Sequence, residues 1–136
     1  MCHEYEWILP SLKTLDGEQV HARMRDEAAD MHNRNNVHDT VARAAHSYSV
    51  MLQSLTKRKD WSVNALQGQQ DQIEMVFTEL TRKIQAEFSV TMKEVADTLA
   101  RSDSALLSAA TRDQVEAMVG QVEQRQENHF RNYEQR

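Results

Sequence analysis

The chain has 136 residues, a net charge of −5 and only one Pro and three Gly, a length that suits a single domain. The acidic balance argues against a general nucleic-acid binder and against an anionic membrane surface as partner, since both call for clustered positive charge. No apolar run approaches the ~18–20 residues of a membrane span.

Apolar residues make up 40% of the chain, which predicts a thin core. The scarcity of Pro and Gly, with abundant Ala, Gln, Glu, Met and Arg, predicts helix almost throughout. Cys2 is the single cysteine and has no partner for an internal disulfide. Glu4 and Glu6 stand where a secretory signal would carry basic charge, so the expected setting is a soluble, reducing, cytoplasmic one.

Residues 1–16 read as an irregular arm. Trp7, Ile8, Leu9, Leu12 and Leu15 concentrate apolar surface around Pro10, with Ser11 placed to cap a short turn. The arm suits either a strap laid across a helical bundle or a docking peptide anchored by Trp7 and Leu9, because Trp is enriched at binding hot spots.

A first helix is expected from Asp16-Gly17 to His32, with Val20, Met24, Ala28 and Met31 on one face. Asn33, Asn35 and Asn36 then predict a turn. A second helix follows over 37–59, with the face Val41, Ala44 or Ala45, Tyr48, Leu52 and Leu55.

Around Lys57-Arg58-Lys59-Asp60-Trp61-Ser62 the cations suit a helix end and Asp60 or Ser62 a new cap, so a break is expected there; the alternative is a continuous helix, since the ruler of the following stripe also passes through Met51, Leu55, Arg58, Ser62 and Leu66 without changing phase. Beyond the break lies the dominant helix, near 62–103. Ile73, Phe77, Leu80, Ile84, Phe88, Thr91, Val95, Leu99, Ser102 and Leu106 follow steps of four, three and four, and eight of these ten are apolar. Such steps share one helix face, and an eleven-residue repeat gives about 3.67 residues per turn, hence a nearly straight or weakly right-handed supercoil.

Ser102-Asp103-Ser104 should end this helix. Thr111-Arg112-Asp113-Gln114 matches a capping box. The last helix, within 111–136, carries Val115, Val119, Val122, Gln126, His129 and Tyr133 at a seven-residue period, a coiled-coil seam with polar later positions. The organisation expected is thus an arm (1–16), a helical bundle with a long central helix (17–107) and a coiled-coil helix (111–136).

Six histidines raise a metal hypothesis. His21 and His32 share a face, as do His38 and His46, and Glu18-x-x-His21 has the spacing of a ligand pair in di-metal bundles. Such sites need a second Glu-x-x-His, which the chain lacks. Met1-Cys2-His3 could wrap Cu(II) or Ni(II) in square-planar nitrogens, a chemistry without an evident role here. Lys57-Arg58-Lys59 beside Trp61 pairs cations with a stacking ring, yet the run is short for a nucleic-acid footprint.

There is no glycine-rich phosphate loop and no nucleophile elbow. The reading is therefore all-α: long amphipathic helices in an antiparallel bundle or coiled coil, with no enzyme activity, cofactor or metal expected. The function expected is that of a subunit or adaptor of a larger assembly, a homo- or hetero-oligomer working by helix–helix contact. The residues expected to make those contacts are Trp7, Leu9, Ile73, Phe77, Leu80, Ile84, Phe88, Val95, Leu99, Val115, Val119 and Val122. The alternatives are a small helical regulator of nucleic acid or of a nucleic-acid enzyme, and a metal- or ligand-responsive four-helix bundle.

Overall fold

A computed structural model describes residues 17–102 and 106–134. They form three α-helices packed against one another: α1 (Gly17–Ala65), α2 (Gln70–Ala100) and α3 (Ala109–Glu134). The arm at 1–16, with Trp7 and Leu9, lies outside the described residues.

Three boundaries differ from the expectations. The turn at Asn33–Asn36 does not form, and α1 runs through it as one helix of 49 residues, longer than the 31 of α2. Asparagine favours turns because its short amide competes for the backbone. Here the Asn33 amide is buried and engaged elsewhere: its Nδ2 donates to the Leu107 carbonyl (2.8 Å) and its Oδ1 accepts from Arg112 Nη1 (3.1 Å). Asn36 sits one turn from His32, 3.1 Å from its Nε2.

The break expected at 57–62 falls instead at 66–69. The helix passes through the basic run, and the chain turns where Gly68 adopts φ of 91°, a left-handed conformation that glycine takes at little cost. Gln69 N–H donates to the Leu66 carbonyl across this turn (3.2 Å). The longest helix is therefore the first, not one over 62–103.

At the start of α3 the cap is Ser108 rather than Thr111. Ser108 Oγ accepts the Thr111 N–H (3.1 Å) and the Ser108 carbonyl accepts the Arg112 N–H (3.1 Å), which is the N-cap arrangement one turn earlier than the capping-box spacing suggested.

The eleven-residue spacing expected for α2 recurs in all three helices. Buried or half-buried positions include Asn33, Val37, Thr40, Ala44, Tyr48, Met51 and Leu55 in α1, and Ile73, Phe77, Leu80, Ile84, Phe88, Thr91 and Val95 in α2. In α3 they are Val115, Val119, Val122, Gln126, Phe130 and Tyr133. Each series steps by four, three, four, four and three, with one further step of four in α1 and α2. The strict seven-residue seam expected for α3 thus gives way at its end, where Phe130 joins the core beside half-buried His129.

Contact partners between α2 and α3 run in opposite numerical order: Thr98 with Met118, Ile84 with Gln126, Phe77 with Tyr133. Those between α1 and α3 rise together: Asn33 with Arg112, Arg43 and Ser47 with Glu123, Arg58 with Phe130. The core divides into two clusters. One joins Val37, Ala44, Val95, Leu107, Val115 and Val119, the other Leu55, Ile73, Phe77, Leu80 and Ile84. Between them Tyr48 stacks on Phe88, with centroids 4.2 Å apart and planes within 4°, an aromatic contact beyond simple area burial.

Candidate interaction surfaces

The residues singled out from the sequence are mostly interior. Ile73, Phe77, Leu80, Ile84, Val95, Val115, Val119 and Val122 are buried, while Phe88 and Leu99 pack half-buried against the first cluster. Burial of a large apolar side chain contributes roughly 1.5–3 kcal/mol. The long stripe of α2 is thus covered by α1 and α3 of its own chain, without a second molecule.

What protrudes is the other end of α1. The bundle layers begin at Asn33, level with Leu107 and Arg112, yet the helix starts at Gly17. Its first sixteen residues extend about 24 Å at 1.5 Å per residue. None of residues 17–32 is buried, and only Val20, Ala22 and Asp30 are even half-buried.

This overhang is tied to the bundle at its base. The Asp30 carboxylate accepts the Leu107 N–H and also pairs with Arg34 (2.9 Å). The Leu107 hydrogen bond is the chief reason that its pKa lies below the ordinary carboxylate value; desolvation opposes the shift, and Arg34 adds to it.

The overhang keeps an apolar stripe of its own. Met24 is 61% and Met31 65% exposed, with Val20 and Ala28 on the same line. At about 100° per residue, Met24 and Met31 lie roughly 120–180° around the helix from Val37, Thr40 and Ala44. α1 therefore carries two apolar faces in succession, one turned into the bundle and one turned away. That phase shift falls at the asparagines where a turn between two helices was expected.

Other apolar side chains are exposed at the turn end of the bundle: Trp61 (71%), Leu66, Met75 (72%) and Val76. A shallow groove of about 390 Å³ between α2 and α3 is lined by Met75, Val76, Leu80, Lys83, His129 and Tyr133.

Of the basic run, Arg58 is drawn to the aromatic core, its guanidinium carbon 4.6 Å from the Phe130 ring centre. Lys57 and Trp61 remain exposed. His21, His32, His38 and His46 are exposed along α1, and no group of three or more potential metal ligands converges among the described residues. His129 Nε2 lies 2.9 Å from Glu87 Oε1, whose Oε2 is buried without a hydrogen-bond partner. No described helix is long and apolar enough to cross a membrane.

No protein-family model matches the chain, and neither a curated protein nor a solved structure is significantly similar to it.

Proposed function

We propose that this chain is a non-enzymatic α-helical subunit or adaptor of a larger assembly, an antiparallel coiled-coil bundle that works through helix–helix contact. The observation that carries the reading is the α1 overhang: a helix continuing about 24 Å past the last packed layer with Met24 and Met31 in solvent. An isolated helix of this length is marginal in water, and exposed apolar side chains in line suit a partner's face. On this reading the residues from Ile73 to Val122 hold the bundle, and the stripe of Val20, Met24, Ala28 and Met31 meets the partner.

The test is comparative capture with the full chain, wild type against Met24→Asp/Met31→Asp, quantified protein by protein. A partner held by wild type and lost by a variant with unchanged thermal unfolding supports the adaptor. Identical capture profiles count against it.

A second reading, a helical regulator that binds nucleic acid, draws on one observation. Trp61 is exposed, one helical turn from exposed Lys57, so a ring and a cation share a face. Binding to single-stranded DNA that weakens steeply with salt would support it. No binding at low salt would remove it.

A further inference from the structure

We propose that the outer stripe of the α1 overhang is a self-association surface, on which the same segment of a second copy packs antiparallel about a two-fold axis. The proposal rests on the reading of the overhang as a partner surface and names the partner.

The stripe reads nearly the same in both directions. Val20, Met24, Ala28 and Met31 step by four, four and three, so a second helix laid alongside in the opposite sense sets Val20 against Met31 and Met24 against Ala28 of the other copy. Each apolar side chain then faces another across the axis, as a two-fold interface requires.

The charges on one edge agree with that register. Arg23 and Glu27 form an exposed pair one turn apart (3.6 Å), and they flank the stripe. In the antiparallel pair Arg23 faces Glu27 of the second copy and Glu27 faces its Arg23, giving a cluster of four alternating charges. On the other edge Arg25 approaches its own symmetry mate, a like-charge encounter about as far around the helix from the stripe as Arg23. A side-by-side arrangement would instead set the Arg23–Glu27 edge against the edge that carries His21, Arg25 and His32.

Sterics allow this geometry. The stripe faces away from α2 and α3, so an antiparallel pair leaves the two bundles at opposite ends of the joined overhangs. The strip is about 24 Å long and about 10–12 Å wide, below the ~800 Å² per partner of a standard interface. Self-association is therefore weak and strongly concentration-dependent, and another protein with a better matched face displaces it.

Sedimentation of the full chain over roughly a hundredfold range of concentration reads the proposal directly. Wild type is expected to shift from monomer towards dimer, and Met24→Asp/Met31→Asp to stay monomeric with unchanged thermal unfolding. Arg23→Glu is expected to weaken the dimer and Arg23→Glu/Glu27→Arg to restore it. A nitroxide at His38→Cys in a Cys2→Ser background should report a separation of about 40 Å in the dimer, against about 15 Å for helices side by side.

Wild type monomeric at every concentration, an undiminished dimer in Met24→Asp/Met31→Asp, or the short nitroxide distance each overturns the proposal. A monomeric variant that melts at lower temperature overturns it too, since the stripe is then buried within its own chain. If wild type is monomeric but the capture comparison still loses a protein, the surface stands and its partner is a different chain. If both experiments come back empty, the reading of the surface falls with the proposal.

Discussion

Asn33 and Arg112 meet where the overhang joins the bundle. The Arg112 guanidinium donates to Asn33 Oδ1 while Asn33 Nδ2 donates to the Leu107 carbonyl, so one buried amide links the middle of α1 to both the segment before α3 and its first turn. Asn33 is 5% exposed, and a buried polar group is tolerated only when its hydrogen bonds are made.

Asn33→Ala should therefore cost about 1–3 kcal/mol in urea unfolding, because it leaves the Leu107 carbonyl without this donor and removes one Arg112 acceptor. Asn35→Ala, at an exposed position of the same run, should change stability by less than about 0.5 kcal/mol. Equal effects would contradict the burial described.

Asp30 gives a pH signature. Its carboxylate is stabilised in the charged form, first by the Leu107 N–H and then by Arg34, so its pKa is lower folded than unfolded. A depressed pKa contributes stability that is present above the unfolded value and lost as pH falls through the folded one. The contribution should therefore fade on acidification below the ordinary carboxylate pKa of ~3.9. Melting temperatures of wild type and Asp30→Asn, compared from pH 7 to pH 2, should differ at neutral pH and converge in acid.

At Gly68 the cost of a side chain is conformational alone. A Cβ there would meet no atom within 4 Å, yet φ is 91°. Gly68→Ala should destabilise by about 1 kcal/mol through strain at positive φ. Gly120, in the middle of α3 and equally open to a Cβ, should gain about 0.5–1 kcal/mol on substitution by Ala. Thermal unfolding of the two variants should move in opposite directions.

The start of α3 separates two capping assignments. Ser108→Ala should cost ~1 kcal/mol, the usual worth of an N-cap. Thr111→Ala, which keeps the N–H that Ser108 Oγ accepts, should cost less. The reverse order in chemical denaturation would return the cap to Thr111.

The all-helical class was legible because breakers are so few, and the α2 stripe because its apolar residues follow one ruler without interruption. The helix limits were not. Asn33, Asn35 and Asn36 carry a local preference for turns, but α1 is continued by a contact 74 residues away, from Asn33 to Leu107, which no local pattern encodes. The cations at 57–59 looked like a helix end for the same reason. Arg58 instead lies over Phe130 of α3, and Gly68 takes the turn.

As for the candidate surface, Val20, Met24, Ala28 and Met31 were legible as a face but not as an outward one. Their direction depends on the helix being continuous. The α2 stripe was expected to be buried against the first helices of its own chain or against a second copy, and the α3 seam to meet a partner, because sequence alone does not separate a stripe covered by its own chain from one covered by another.

The unbroken path of α1 past Asn33 bears on how a bound molecule would be held. A flexible tether presents its end over a broad spread of distances, and the effective concentration at a second site then depends on linker length. A helical strut presents it at a single separation and azimuth. Anything seated on Met24 and Met31 would stand at a set height above the bundle, on the side opposite α2 and α3. Adding or removing one residue between Met31 and Asn33 would swing that molecule about 100° around the axis, so reach and bearing would be set together by a count of residues.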